Sequence, residues 1–391
     1  MSRVLLALVG DANDPATWSG TAFHCLESGR ALGTIDAGLP LETTSGAWIW
    51  RRRLWNLARL LSRFEKGGYQ YSEAFLERLW MRAVLARDDT LINMFQLYPA
   101  RLFARHPGEK WFYIDQTLNQ LFNCYGVADL IGPRIAADAL ARERDQYAAS
   151  AGVVAQSAWA ARDLMETYGL PPARVHVAVA GANIDREALA AWEAERTHAP
   201  IPPERPLRLV FVGKEWRRKG LDRLIRAVTL ARLDGTSVEL TVIGVLPSQL
   251  PPDLAGADGI TWAGFIDKRS DLQSFLDTVA DCDVGCLLSQ AEAGGISLRE
   301  FCRLGLPTIA PAIGGSPEYV YKPAADLVAP DAPDEEIAAI ISRLARDRDE
   351  LERRRRLAFE ARHLASWDTA VARLGALVGR DTRVPDERGR A

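Results

Sequence analysis

Two carboxylates, Glu292 and Glu300, stand eight positions apart around Gly294–Gly295 in the stretch 290-QAEAGGISLREFCRLG-305. Two chemistries suit such a pair: general acid/base work, or a clamp for hydroxyl groups. The pattern predicts a strand closing at Ser289, a loop from Gln290 to Ile296, and a short helix over 297–304 stopped by Gly305 and Pro307. Even on one continuous helix the two acids would lie about 80° apart around the axis and about 12 Å apart along it. That is too far to share a proton. It suits two acceptors serving different hydroxyls of one extended ligand, because a carboxylate can accept from both hydroxyls of a diol. Gly294 and Gly295 lack side chains, so a ligand could approach their backbone N–H groups closely. The bland alternative leaves Glu300 as surface charge.

A second cluster lies upstream, in 209-LVFVGKEWRRKGLDRLIRAV-228. An apolar strand ends at Gly213. A basic loop then carries Lys214, Arg217, Arg218 and Lys219, and Gly220 opens a helix whose Leu221, Leu224, Ile225 and Val228 share one face. Backbone N–H groups, a helix N-terminus and mobile cations at a strand's carboxyl end suit a diphosphate. A solvated loop is the competing reading.

The elements that must position these residues alternate along the chain. Strands are predicted at Arg3–Val9, Thr90–Phe95, Lys110–Ile114, Gly152–Ala155 and Val175–Val179. A second series covers Leu207–Val212, Glu239–Ile243, Ile260–Ala263, Val284–Leu288, Thr308–Ala310 and Asp326–Ala329. Continuous apolar strands separated by helices imply parallel sheets covered on both faces. The pattern restarts after the proline-rich 201-IPPERP-206, so the expected division is 1–200 and 201–365. A helix over 366–380 could return to the first domain, and 381–391 reads as a frayed polar tail. The expected fold class is α/β, with two doubly wound Rossmann-like domains facing an interdomain cleft, because ligands of such sheets sit beyond the strands' carboxyl ends. A length of 391 residues, ordinary apolar content and a net charge of −3 fit a soluble globular chain and argue against a general nucleic-acid binder. Five cysteines without a CxxC pair suit a reducing, cytoplasmic setting, and the polar turn after Gly10 is too early for a signal peptide. No G-x-G-x-x-G follows a strand, which disfavours a Rossmann dehydrogenase.

The second half resembles the retaining glycosyltransferases of family 4, also called glycosyl transferases group 1, which have the GT-B fold and act on nucleotide sugars. The resemblance rests on Glu292-x7-Glu300 followed by 305-GLPTIAPAIGGSPEYV-320, on 212-VGKEWRRKGLDRLI-225 as a phosphate loop, and on 157-SAWAARDLMETYGLPPARVHVAVAGANID-185. It covers most of 150–320 and is weaker over 1–150. Lys214 stands where that group usually has arginine, and Lys219 matches its lysine.

The resemblance implies that Glu292 bonds hydroxyls of the donor sugar and Glu300 bonds the ribose. Amides near Gly294, Gly295 and Ile296, with Ser297, would hold the sugar and its phosphate. Lys214 and Lys219, beside Gly213 and Arg218, would neutralise the diphosphate. The first domain should supply a glycine-rich loop, for which 15-PATWSGTAFHC-25 offers Ser19, Gly20 and Thr21. Where the group often carries a histidine on the sugar, 111-WFYIDQT-117 offers Asp115 instead. His24 and His106 are the remaining histidine candidates there, and His106, before Pro107, reads as surface. The donor's own phosphate is thought to take the acceptor's proton, so no protein base is required. The only Asp-x-Asp near a strand, 281-DCD-283, precedes it, so metal independence and no cofactor are expected. The partners implied are a nucleotide sugar and a glycan, glycolipid or small-molecule acceptor, with no nucleic acid. A nucleotide-sugar epimerase and a non-catalytic nucleotide-sugar binder are the competing functions.

One further stretch, 48-WIWRRRLWNLARLLSRF-64, carries five arginines, three tryptophans and no acid. On a helical wheel Trp50, Leu54, Leu57, Ala58 and Leu61 share a face, opposed by Arg52, Asn56, Arg59 and Arg63. Either this face packs on the first sheet, or it lies on anionic lipid at the inner face of a membrane.

Overall fold

The computed structural model describes residues 2–43, 45–59, 67–195, 202 and 204–380. The tail at 381–391, all of 60–66 and part of the proline-rich segment therefore lie outside the described residues. The chain forms two compact units. One runs to Val179 and resumes at Trp367, and the other is Ala180–Ser366.

The first unit is built on six parallel strands in the order β2-β1-β3-β4-β5-β6. These are β1 Val4–Ala7, β2 Ala37–Gly38, β3 Thr90–Asn93, β4 Lys110–Ile114, β5 Gly152–Ala155 and β6 Val175–Val177. Strands β1, β3 and β5 are buried at every position, which is why their sequences carry no polar alternation. Helices α1 Thr21–Ala31, α2 Gly46–Leu57, α3 Leu118–Cys124 and α4 Pro133–Ala149 belong to this unit. Its core is aromatic, with Phe112 of β4 edge-on to Tyr98 at 5.1 Å and to Tyr147 at 4.8 Å.

The second unit repeats the plan with β7 Leu207–Val212, β8 Val238–Ile243, β9 Ile260–Gly264, β10 Val284–Cys286, β11 Thr308–Pro311 and β12 Ala325–Val328. Their order is β9-β8-β7-β10-β11-β12, again all parallel. Strand order reverses between β7 and β10. In open parallel sheets the carboxyl ends of the strands at such a reversal are where ligands bind. Helices α5 Leu221–Leu233 and α6 Ile296–Arg303 follow those two strands directly.

The sequence pattern finds every long strand to within a few residues. It misses β2, whose sequence, between Asp36 and Leu39, has no apolar run. The division falls at Val179/Ala180, upstream of the expected 200/201, because the helix Arg186–Ala194 is bonded to the second unit. Trp192 Nε1 donates to Asp277 Oδ1 at 2.9 Å, and Arg303 pairs with Glu193 at 2.8 Å. The last helix, α8 Trp367–Leu377, packs on α1, and the buried Ser28 hydroxyl donates to Asp368 Oδ1 at 2.6 Å. (The intervening α7 is Asp334–Arg346.) His106, read from sequence as surface, is buried instead, with its ring Nε2 2.6 Å from the carbonyl of Asp89. All five cysteines are unpaired.

Candidate functional site

In the second unit the loop after β7 and the loop after β10 are joined by their backbones. Leu288 N donates to Lys219 O at 3.2 Å, and Gln290 N donates to Arg218 O at 2.8 Å. Two glycines permit the approach. A Cβ on Gly220 would lie 2.1 Å from the Leu288 carbonyl oxygen, and its φ of +69° is the left-handed conformation glycine adopts freely. A Cβ on Gly213 would lie 2.4 Å from Lys219 Cδ, so Gly213 is the floor on which the lysine stem rests.

This joining brings the predicted cations to the predicted acid. Glu292 Oε2 accepts from Arg218 Nη1 at 3.2 Å and from Ser289 Oγ at 3.1 Å, and lies 3.6 Å from Lys219 Nζ. Arg218 also donates to the Ala291 carbonyl at 2.8 Å and pairs with Glu215. Lys214 does not join this group. Exposed, it places its ammonium 4.4 Å from the centroid of Phe265 beyond β9. Next to it, Asp267 is held down at about 2, chiefly by its bond to Arg269, with Lys214 contributing.

The Gly-Gly pair serves packing and backbone geometry. A Cβ on Gly294 would fall 2.2 Å from Tyr319 Cζ, and Gly295 has φ +108° as the N-cap of α6. Behind them, a Cβ on Gly314 would lie 1.9 Å from the Glu292 carbonyl oxygen. The 313-IGGSPEY-319 segment thus braces the loop that carries Glu292. In the first turn of α6, Ser297 is buried and its hydroxyl has no hydrogen-bond partner among the described residues. Ser316 Oγ, fully buried, is likewise unpartnered. A helix N-terminus with an unengaged hydroxyl in its first turn can serve an anion or a polyol.

Glu300, in the middle of α6, is neither surface charge nor an open clamp. It is 2 % exposed. Lys268, from the segment after β9, donates to its Oε1 and also to the Asn183 carbonyl at 3.0 Å. Sequence reasoning missed Lys268; the available signal was its position just beyond a strand's carboxyl end. The neighbouring Arg299 is structural, donating to Ala180 O at 2.8 Å and Leu364 O at 2.5 Å.

In the first unit the loop ahead of α1 turns through three successive left-handed residues, Trp18 at φ 48°, Ser19 at φ 57° and Gly20 at φ 85°. Thr21 opens α1. Left-handed backbone costs a non-glycine residue about 1–2 kcal/mol, so this turn is held against its local preference. Asp115 follows β4 directly, and the start of α3 beyond it is fixed by a buried network. Thr117 and Gln120 form a capping box. Thr117 Oγ1 donates to Asp163 at 2.5 Å, and Leu118 N donates to Glu143 Oε1 at 2.8 Å. Glu143 also accepts from the hydroxyls of Tyr147, at 2.7 Å, and Tyr168. Burial pushes the Glu143 carboxyl up to about 8. Nothing in the helical pattern of 138-DALARERDQYAA-149 marks this glutamate as buried.

Asp281 and Asp283, the only Asp-x-Asp near a strand, are engaged by Arg208 and Arg205 ahead of β10. Among the described residues no group of three or more His, Cys, Asp or Glu is placed to hold a metal ion. No helix among them is long and apolar enough to cross a membrane.

Residues 194–364 match the family model described as "Glycosyl transferases group 1". A D-inositol 3-phosphate glycosyltransferase of Thermomonospora curvata is 29% identical over 240 residues, which is 57% of this chain and 55% of that protein. The amylovoran biosynthesis glycosyltransferase AmsK of Erwinia amylovora is 28% identical over 151 residues, 36% of each chain. The chain thus spans about half or less of the length of these curated relatives. Among solved structures, sucrose-phosphate synthase of Thermosynechococcus elongatus superposes with a TM-score of 0.66 at 15% identity, covering 96% of this chain and 98% of that one. Anabaena HepE, solved with UDP and glucose, superposes at 0.59 with 15% identity over 96% and 98%. These likenesses show the fold, which is that of the GT-B glycosyltransferases.

Proposed function

We propose that this chain is a retaining glycosyltransferase that moves a sugar from a nucleotide-diphosphate donor to a hydroxyl of a sugar, lipid-linked or small-molecule acceptor. One observation carries the reading. At the strand-order reversal of the second unit, Glu292 is held by Arg218, Lys219 and Ser289 beside the N-terminus of α6. An acid pinned between cations gives one site both an acceptor for sugar hydroxyls and positive charge for a diphosphate. The likeness of 194–364 to glycosyl transferases group 1 supports the same donor class, as does the HepE structure in complex with UDP-glucose.

In this mechanism the glycosyl–phosphate bond breaks as the acceptor oxygen bonds the anomeric carbon from the same face of the sugar, and the acceptor's proton passes to the leaving diphosphate. Negative charge grows on the leaving diphosphate. Arg218, Lys219 and the N–H groups at the start of α6 stabilise it more in the transition state than in the ground state. Glu292 orients the sugar through its hydroxyls, and Ser297 supplies a further hydroxyl at the helix mouth. Lys214 reaches the diphosphate only by leaving Phe265, and Glu300 is proposed to take the ribose with Lys268 on its Oε1. Gly20, Thr21 and Asp115 are proposed to act on the donor from the first unit, and the reaction needs no metal ion.

A thermal-shift screen of UDP-, GDP- and ADP-sugars, with and without a chelator, tests the proposal. A ligand bound only by the folded chain raises apparent stability by mass action. One donor class should stabilise the second unit regardless of chelator, and Glu292→Ala should no longer distinguish that donor from its bare nucleotide. If the variant keeps the distinction, Glu292 does not hold the sugar. Conversion of the donor to its epimer without transfer would replace the reading.

A further inference from the structure

Helix α2 leaves its apolar face uncovered. Trp48 and Trp55, seven positions apart, anchor one side of it. Trp48 lies edge-on to Phe75 at 5.2 Å, and Trp55 lies 5.4 Å from Tyr69 and donates from Nε1 to Gly67 O at 2.8 Å. The opposite side carries Trp50, Leu54 and Leu57, spaced i, i+4, i+7, which are 63%, 61% and 60% exposed. No residue of α2 is buried. Of the two readings the sequence left open for this face, packing on the first sheet is not what Trp50, Leu54 and Leu57 show. The anchoring falls to Trp48 and Trp55 because their rings fit the aromatic cluster of Tyr69 and Phe75.

Charge on the same helix has one sign. Residues 46–59 contain Arg51, Arg52, Arg53 and Arg59 and no acid. Arg51, Arg52 and Arg53 make no ion pair among the described residues. Instead the Arg51 guanidinium sits 5.4 Å from the Trp48 ring and that of Arg53 5.2 Å from the Trp50 ring. Arginine stacked on tryptophan beside exposed leucine is the composition of a helix lying in a headgroup layer, where rings sit at the boundary and guanidinium groups reach outward to phosphates.

We infer that α2 docks this chain on an anionic phospholipid surface, with Trp50, Leu54 and Leu57 entering the acyl boundary, Arg51 and Arg53 on the flanks of that face bonding lipid phosphates, and Arg52 on the far side adding to the positive field. A second copy of the chain fits the face less well. Two-fold pairing of a self-complementary patch would bring each arginine run toward its twin, whereas an anionic bilayer supplies the missing counter-charge. The inference stands on α2 alone and does not depend on the transferase reading.

Co-flotation with vesicles tests it, using phosphatidylcholine alone and phosphatidylcholine mixed with phosphatidylglycerol. The full chain should float with the mixed vesicles only, and raising the ionic strength should release it. Arg51→Glu/Arg52→Glu/Arg53→Glu should lower the partition coefficient at least about 100-fold, or about 3 kcal/mol at about 1 kcal/mol per arginine. Trp50→Ser/Leu54→Ser should lower it as well. Both variants should melt close to the parent, since Trp50, Arg52, Arg53 and Leu54 are exposed and Arg51 is half-buried. The salt series needs no variant and tests the charge argument directly. Failure of the wild type to float overturns the inference. So does equal binding to neutral vesicles, or retained binding by the triple-glutamate variant. A dimer seen by sedimentation and abolished by Trp50→Ser/Leu54→Ser would assign the face to a second copy instead.

Discussion

Lys268→Met should destabilise the second unit far more than its partly exposed position suggests. Lys268 is 29 % exposed, but its partner Glu300 has only 3 % of its side chain open to solvent. Without the lysine, a buried carboxylate loses its counter-charge and a hydrogen-bond donor together. Breaking a buried pair in this way costs about 3–5 kcal/mol. Water reaching the site past the shortened side chain lowers the figure to about 2–3 kcal/mol. For a unit the size of Ala180–Ser366, that is a fall of about 4–12 °C in the melting temperature at roughly 2–4 °C per kcal/mol. Glu300→Gln should cost less, because Lys268 keeps the Asn183 carbonyl and lies 5.2 Å from the centroid of Phe275. The double variant Lys268→Met/Glu300→Gln should recover most of the loss, giving a coupling of at least about 1.5 kcal/mol in a double-mutant cycle. Calorimetry on the four proteins is the measurement. A Lys268→Met cost below about 0.5 kcal/mol, or a Glu300→Gln cost equal to it, would refute the view that Lys268 holds Glu300 in place.

Glu143 predicts a pH dependence in the first unit. Its folded carboxyl, near 8 through burial, keeps its proton where the unfolded chain has released one. Its contribution is therefore full below about pH 4 and is lost as pH rises toward 8, by a few kcal/mol in all. Glu143→Gln should flatten that slope in denaturation curves taken at pH 5 to 9, and an unchanged slope would exclude the assignment. Gly294→Ala drives a methyl to 2.2 Å from the Tyr319 ring. It should cost about 1–3 kcal/mol and abolish the thermal response to donor, and a variant with wild-type melting and response would contradict the packing argument. Glu292→Gln should tighten binding of the bare nucleoside diphosphate while weakening the preference for its sugar form, both readable by titration calorimetry.

Much of the fold is legible because parallel strands buried on both faces leave uninterrupted apolar runs, such as 209-LVFV-212 and 111-WFYI-114. The meeting of Lys219 with Glu292 is legible for a related reason. Each stands just beyond a strand, and strands of this pattern gather their carboxyl ends. Other parts depend on tertiary neighbours that local pattern does not encode. Lys268 reaches Glu300 across 32 positions, and only the strand order brings them together. Gly294 reads as room for a ligand until Tyr319 is placed behind it. The unit boundary escapes notice because composition shifts at the prolines, whereas Trp192 and Glu193 have already bonded the preceding helix to the second unit. For α2, periodicity finds the apolar stripe but does not say whether protein covers it.

The Glu292→Gln expectation follows from the site's charge balance. Arg218 and Lys219 bring two positive charges to Glu292, and Glu215 pairs with the same Arg218, so the two carboxylates balance the two cations before a diphosphate arrives. A phosphate oxygen bonded to Lys219 would sit within about 6 Å of Glu292, since the ammonium is 3.6 Å from Oε2. Two unit charges at that distance repel by about 3 kcal/mol at an effective dielectric of about 20, and solvent at the loop surface reduces this to about 1–2. The carboxylate therefore opposes the diphosphate by roughly tenfold in affinity. Its retention makes sense where a second part of the ligand compensates by donating hydroxyl hydrogens to it, as a sugar does and a bare nucleotide does not. Glutamine keeps the shape and removes the charge. Bare diphosphate should then bind about tenfold more tightly, while the sugar donor gains less. If glutamine weakens both ligands equally, Glu292 acts only to hold Arg218 and Lys219 in place, and the assignment of sugar recognition to it falls.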